Sequence, residues 1–179
     1  YYFYDINGKI SQDFGEANKF FLSGFTSEDK MEFDNRAGFN GALGISNRTL
    51  SGRWTHILSD NLFSVFNLSW SRYRNSFSTE NSGFETSVEN IIQDVTLKGN
   101  LEWFVSSDWT LKSGIEFNRY LLNYQQNFTG NADSSSAEGT NDGGIVNLEE
   151  TDHTGSMFIQ SNYQFSNLLS LQTGFRANY

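Results

Sequence analysis

Apolar and polar residues alternate along most of the chain with a period of two. In residues 91–105, most odd positions carry Ile, Val, Leu or Trp, and the even positions from Asp94 to Glu102 are polar or charged. This period places successive side chains on opposite faces of a β-strand. The pattern predicts an all-β chain with no helix. The eight expected strands cover residues 2–13, 19–32, 48–58, 62–73, 91–105, 110–117, 156–165 and 169–178.

The apolar positions change parity after Phe117. Leu111, Ile115 and Phe117 are odd, whereas the next apolar residues, Tyr120, Leu122 and Tyr124, are even. Two structures explain such a change. Either a β-bulge inserts one residue, or the strand leaves its apolar environment at this point.

The expected connections alternate between tight turns and longer loops. The tight turns lie at Gly15–Asn18, Ser59–Asn61, Ser106–Asp108 and Ser166–Leu168. The longer loops cover roughly residues 34–41, 77–88 and 129–152. In an antiparallel up-and-down meander, this alternation puts every tight turn at one end of the sheet and every longer loop at the other.

Composition narrows the class of protein. The 179 residues are 16% aromatic, include no proline or cysteine, and carry a formal net charge of -9. The aromatic content argues against a disordered acidic chain, and the charge argues against nucleic-acid binding. The lack of cysteine excludes disulfides and thiolate metal sites. No apolar run is long enough for a membrane-spanning helix, and YYFYDINGK lacks the features of a signal peptide, so we expect a mature protein, a domain or a fragment.

Strand length and aromatic placement favour a membrane barrel over a water-soluble one. The alternation runs for about 9–11 residues in most segments, as a tilted transmembrane strand requires. Aromatics cluster beside the tight turns, at Phe14, Phe20, Trp54, Phe63, Trp103, Trp109 and Phe165. They cluster again one span away, at Tyr2, Tyr4, Trp70, Tyr73, Tyr120, Tyr124 and Tyr179. The distance from Trp109 to Tyr120 predicts a height of about 25 Å, that of an apolar band between two aromatic girdles. Ordinary core aromatics are the other interpretation.

The polar positions of these strands carry long charged or amide side chains. Such groups suit a water-filled lumen, although the outer face of a soluble barrel would also accept them. They are Arg53, Lys98, Glu102, Lys112, Glu116, Gln160 and Arg176.

The number of connections bears on the size of the barrel. Four tight turns and three longer loops would put both chain ends on the outer side of a bacterial outer membrane, where the loops are long. Eight-stranded barrels of this type ordinarily keep both ends in the periplasm. The pattern therefore predicts a slice of a larger barrel.

Several segments resemble TonB-dependent outer-membrane receptors, particularly those of the Bacteroidetes type. YYFYDINGKISQDF followed by NKFFLSGFTSEDKM is similar to a strand pair of that family. GRWTHILSDNLFSVFNLSWSRY and DVTLKGNLEWFVSSDWTLKSGIEF are similar to its later hairpins. MFIQSNYQFSNLLSLQTGFRANY resembles the hairpin that ends in Gly-Leu-Arg-Tyr, with Phe175 in place of the usual leucine. The resemblance covers nearly the whole chain.

The resemblance implies a function in transport. The family forms 22-stranded barrels with an N-terminal plug domain, and imports a siderophore, cobalamin, glycan or peptide using energy from TonB. Residues 1–179 are then a single mid-barrel segment without the plug. The implied partners are outer-membrane lipid, an unknown extracellular ligand and, through the plug, TonB. No enzyme activity, nucleic-acid partner or cofactor is expected.

No catalytic, cofactor-binding or metal site is expected from the residues. His56 lies near Trp54 at a tight turn, which favours a girdle or surface position, and His153 closes the longest loop. That loop, 129–153, carries Asp133, Glu138, Asp142, Glu149, Glu150 and Asp152 without Lys or Arg. Such a loop could bind calcium through carboxylate oxygens, but the spacing fits no EF-hand, so a solvated acidic loop is the favoured interpretation.

Two other architectures compete with the receptor segment. A complete eight-stranded outer-membrane barrel, with an adhesin or structural role, requires a ladder between residues 2–13 and 169–178. A soluble ligand-binding barrel of lipocalin type requires an apolar interior that shields Trp54 and Trp103.

Overall fold

A computed structural model describes residues 1–35, 39–81, 84–130 and 144–179. Eight β-strands make up these ranges, which contain no helix: β1 (Tyr2–Phe14), β2 (Asn18–Asn35), β3 (Phe39–Ser59), β4 (Leu62–Asn81), β5 (Phe84–Phe104), β6 (Trp109–Gly130), β7 (Ile145–Ser166) and β8 (Leu169–Asn178). The all-β prediction and the number of strands are confirmed. None of the described residues belongs to a helix that could cross a bilayer.

The strands form one antiparallel sheet in the order of the sequence, β1 to β8. Each strand pairs only with its neighbours in the chain, so the predicted up-and-down meander is confirmed. β1 and β8, both fully described, do not pair with each other. The ladder that a complete eight-stranded barrel requires is therefore absent from the described residues.

The strands are longer than predicted, because they continue through most of the expected loops. Residues 39–41, 77–81, 84–88 and 145–152 are paired strand residues. The prediction of loops at 34–41 and 77–88 was therefore wrong for most of their length, since polar Ser, Asn, Thr and Glu residues continue the backbone ladder there. Gly130, where β6 ends, and Ile145, where β7 begins, lie at the opposite end of the sheet from Ser106–Asp108, as the topology predicted.

Two of the tight turns share a serine cap. In the β5–β6 turn, the backbone N–H of Asp108 donates to Ser106 Oγ at 3.3 Å. In the β7–β8 turn, the N–H of Leu168 donates to Ser166 Oγ at the same distance. The β1–β2 turn instead uses Gly15 at a φ of 71°, in the left-handed region that favours glycine. All four predicted tight turns are confirmed.

The sheet encloses no apolar core. Its described residues include no buried hydrophobic side chain, and the accessible surface is 13132 Å². A globular monomer of this mass exposes only about 8,800 Å². Trp54 and Trp103 are 42% and 44% exposed. The described residues therefore do not form the shielded interior that the lipocalin-type alternative requires.

Candidate functional site: the two faces of the sheet

One face of the sheet carries a continuous apolar belt, and we call it the belt face. The strand register places the belt residues side by side across the sheet. They are Leu22, Leu50, Trp54, Phe66, Leu68, Trp70, Val95, Leu97, Leu101, Trp103, Ile115, Phe117, Met157, Ile159 and Phe175. Most of these side chains are exposed on the isolated sheet. A belt of this size requires apolar surroundings.

Behind the belt, the opposite face carries a row of small polar side chains. Ser23, Ser51, Ser69, Thr96, Asn118 and Thr154 pair in register from β2 to β7. Hydrogen bonds link several of them: the hydroxyls of Ser23 and Ser51 lie 2.7 Å apart, and Thr96 Oγ1 donates to Asn118 Oδ1 at 2.7 Å. Asn118 Nδ2 donates in turn to Thr154 Oγ1 at 3.2 Å. Short hydroxyl and amide side chains leave space for water in front of this face.

Ion pairs follow this polar row toward the tight turns. Lys98 Nζ lies 3.1 Å from Glu116 Oε2, and Lys112 Nζ lies 2.7 Å from Glu102 Oε1. All four side chains are partly exposed. The seven charged or amide residues predicted for a polar face all lie on this one. Such hydrated pairs contribute little stability, and they give the surface its charge pattern.

The parity change after Phe117 involves no bulge. Residues 110–127 of β6 keep an unbroken register with both β5 and β7. Tyr120, Leu122 and Tyr124 therefore lie on the opposite face, whereas Phe117 lies on the belt face. Of the two interpretations, the structure supports a strand that leaves its apolar environment.

Past Phe117 of β6, toward the end of the sheet away from the tight turns, the opposite face becomes apolar and aromatic. We call this region the upper patch; it consists of Leu43, Ile45, Tyr73, Phe77, Val88, Ile92, Leu122 and Tyr124. Phe77, Ile92 and Leu122 are 39%, 42% and 43% exposed. Leu43, Ile45, Phe77 and Val88 were missed because residues 33–47 and 74–90 were assigned to no strand. The odd parity of Tyr73, Asn75 and Phe77 was the available signal.

The prediction of two girdles is only partly correct. Phe14, Phe20, Trp54, Trp103, Trp109 and Trp70 lie on the belt face. Phe63, Tyr73, Tyr120 and Tyr124 lie on the opposite face. Trp109 and Tyr120 thus point to different sides, so the distance between them does not measure the belt. In β4, β5 and β6 the belt covers residues 62–70, 95–103 and 109–117, nine in each strand, at the lower end of the length that a bilayer requires.

Both histidines lie on the belt face and contact aromatic residues. His56 Nδ1 is 2.7 Å from Asn18 Oδ1, and its ring lies 5.3 Å from that of Trp54. His153 stacks on Phe117 at 5.9 Å. His153 belongs to β7, so the prediction that it closes a loop was wrong.

The acidic segment 129–153 is partly strand. Glu149, Glu150 and Asp152 lie in β7, with Glu149 on the belt face and the other two on the opposite face, because these side chains alternate along an extended strand. Asp133, Glu138 and Asp142 fall outside the described residues. Within the described ranges, no three His, Asp or Glu side chains are arranged to hold a metal ion.

Comparison with solved structures identifies this architecture. The ferric-catecholate import receptor Fiu from K12 E. coli superposes with a TM-score of 0.73 at 15% identity, over 98% of this chain and 34% of that one. The RagAB peptide transporter gives 0.71 at 12% identity, over 98% and 28%. The ferric yersiniabactin uptake receptor FyuA from Yersinia pestis gives 0.61 at 12% identity, over 96% and 26%.

The fold is that of a TonB-dependent receptor barrel wall. The family resemblance found in the sequence is thus confirmed at the level of the fold. The chain spans about a quarter to a third of the length of these structures. No protein-family model matches the sequence, and no curated protein matches it significantly.

Proposed function

We propose that residues 1–179 form one segment of a receptor barrel domain in the bacterial outer membrane. The whole protein would import a scarce ligand as an active transporter. The observation that carries the proposal is the pair of unlike faces on one uninterrupted sheet of transporter-barrel fold. The belt face meets lipid, and the opposite face lines a wet lumen. The bare edges of β1 and β8 pair with further strands that close the barrel.

The opposite face supports a ligand path with two zones. Toward the tight turns it presents hydroxyls, amides and hydrated ion pairs, which do not retain an apolar solute. Above them, the upper patch offers exposed Phe77, Ile92 and Leu122, and Tyr73 lies directly opposite Ile92 in the β4–β5 ladder. Apolar and aromatic contacts with a few polar groups are the usual lining of a ligand site. The upper patch is therefore the proposed contact surface for the incoming ligand.

Energy from TonB, delivered through a plug domain, completes the proposed mechanism. It is inferred from the family resemblance, as is the range of ligands: a siderophore, cobalamin, a glycan or a peptide. Among the proteins of similar fold are receptors for ferric yersiniabactin and ferric preacinetobactin and a peptide transporter. The proposed receptor role requires no catalytic residue.

Uptake by the full-length protein tests this function. The protein is produced in outer membranes of cells with and without TonB. Each culture receives a labelled ferric catecholate siderophore, cyanocobalamin, a maltooligosaccharide or an oligopeptide. We expect uptake of one probe class that requires TonB, and an Ile92→Glu substitution in the upper patch should reduce it at least tenfold. Ile91→Glu, on the belt-face side of the same strand, is the matched control and should change uptake little.

Two results would contradict the proposal. One is the absence of TonB-dependent uptake for all four probes when the protein is present in the outer membrane. The other is equal uptake by the Ile91→Glu and Ile92→Glu proteins, because the two faces would then not differ in function.

A further inference from the structure

Three arginines lie together on the belt face, immediately above the belt. Arg48 and Arg72 are direct partners across the β3–β4 ladder, and Arg74 follows two residues along β4. Leu50 and Trp70, the last belt residues of these strands, are the neighbouring pair on the same face. The arginines therefore mark the border of the belt at the end away from the tight turns.

The arginines surround a small cavity. It has a volume of about 90 Å³ and is lined by Glu28, Ser46, Arg48, Arg72 and Arg74. Glu28 accepts hydrogen bonds from the hydroxyls of Tyr2 and Tyr4, both at 3.1 Å. A space of this size, lined by three arginines and one carboxylate, accommodates a small anionic group.

The positive charge in this cavity is only partly balanced. Arg74 forms an ion pair with Glu89. Arg48 and Arg72 form no ion pair with any described residue. The Nε atom of Arg72 is buried and has no hydrogen-bond partner among the described residues. Like charges directly opposite each other destabilise a strand pair, and a buried donor without a partner adds to that cost. An anion in the cavity would offset both.

The position of the cavity identifies the anion. Its arginines lie where an apolar belt meets the polar zone above it, so an anion held there sits at the depth of lipid headgroups. Arginine forks match phosphate oxygens in geometry and charge. We propose that Arg48, Arg72 and Arg74 bind the phosphate of a phosphorylated lipid headgroup in the outer leaflet, with its acyl chains against Leu50 and Trp70. This inference rests on the outer-membrane placement in the proposed function.

Lipid retention by the full-length receptor tests the site. The purified protein is exchanged into phosphatidylcholine nanodiscs that contain bisphosphorylated lipid A or its dephosphorylated form, and the lipid retained after detergent washing is measured by mass spectrometry. We expect preferential retention of the phosphorylated form. In the Arg48→Gln, Arg72→Gln double variant, the ratio of phosphorylated to dephosphorylated lipid retained should fall at least about tenfold, since two charge-assisted hydrogen-bonding groups are removed. Millimolar inorganic phosphate should not displace the lipid.

A matched control removes the same charge from the opposite face. Arg53 lies in β3 and Lys9 in β1, both facing away from the belt, so Arg53→Gln with Lys9→Gln should leave lipid retention unchanged. Equal losses in both double variants, or retention of both lipid forms alike, would overturn the inference. Displacement by inorganic phosphate would also overturn it, because the site would then bind free phosphate.

The two proposals fail in different ways. If TonB-dependent uptake persists while lipid preference is absent, only the headgroup site is rejected. If the protein does not partition into outer membranes, the transporter itself is rejected.

Discussion

Gly114 in β6 leaves room for the large side chain of Phe158, which lies over it from β7. A Cβ atom on Gly114 would lie 2.5 Å from Phe158 Cε1, 2.6 Å from Asn100 Oδ1 and 3.0 Å from the Gly99 carbonyl oxygen. The last contact involves backbone, which cannot move without disturbing the ladder. By contrast, a Cβ atom on Gly8 in β1 would meet nothing within 4 Å. The sequence shows two glycines in similar strand patterns, and only the packing around them distinguishes their roles.

We expect Gly114→Val to destabilise the full-length protein by about 1–3 kcal/mol, because the added side chain overpacks a filled site. Gly8→Ala should be neutral or stabilising by up to about 1 kcal/mol, since it removes backbone freedom from the unfolded chain. Urea unfolding of the protein refolded into lipid vesicles measures both. A Gly114→Val protein as stable as wild type would show that Phe158 does not pack over this position.

At the scale of the element, β5 combines three environments along a single extended strand. Leu97 lies in the middle of the belt, and its neighbour Thr96 lies in the hydrogen-bonded row of the opposite face. Ile91 shares the face of Leu97 but lies above the belt. Depth and face together therefore set the cost of a charge at each position.

We expect Leu97→Lys to destabilise the protein by about 2–4 kcal/mol, as charges at the middle of a lipid-facing strand do. Ile91→Lys, near the border of the belt, should cost no more than about 1 kcal/mol. Thr96→Lys should be tolerated similarly, because its side chain enters water in the lumen. Unfolding in vesicles ranks the three variants. A Thr96→Lys protein less stable than Leu97→Lys would reverse the assignment of the faces.

For the whole molecule, the meander places all tight turns at one end of the sheet. The belt begins within a few residues of those turns, whereas β4 continues 11 residues beyond Trp70 to Asn81. This asymmetry agrees with short periplasmic turns and strands that project outside the cell.

Cysteine labelling tests this orientation, because the chain has no cysteine of its own. In intact cells, a maleimide on a 5-kDa polymer should label Thr129→Cys, at the far end of β6. It should label Ser107→Cys, in the β5–β6 turn, only after the outer membrane is disrupted. Labelling of Ser107→Cys alone in intact cells would show that the sheet has the reverse orientation.

Much of this architecture was predictable from the chain. The eight strands, the four tight turns and the polar positions from Arg53 to Arg176 follow from a period of two, which any extended strand obeys. Strand ends were predicted less well, because residues 74–81 and 84–90 are mostly polar on both faces of the sheet and their ladder hydrogen bonds involve only backbone atoms. Tyr120 was assigned to a girdle because its spacing from Trp109 was suitable, although its parity was not.

The sequence by itself determined the class of fold, since alternation, turn residues and aromatic content are local properties of the chain. Tertiary structure decided which residues share a face. Only the register between neighbouring strands determines whether the odd positions of one lie beside the odd or the even positions of the other. That register showed the belt to be nine residues deep, placed Phe77, Ile92 and Leu122 on the same opposite face, and aligned Arg48 with Arg72. Residues far apart in sequence meet only when backbone hydrogen bonds fix that alignment, which no local pattern encodes.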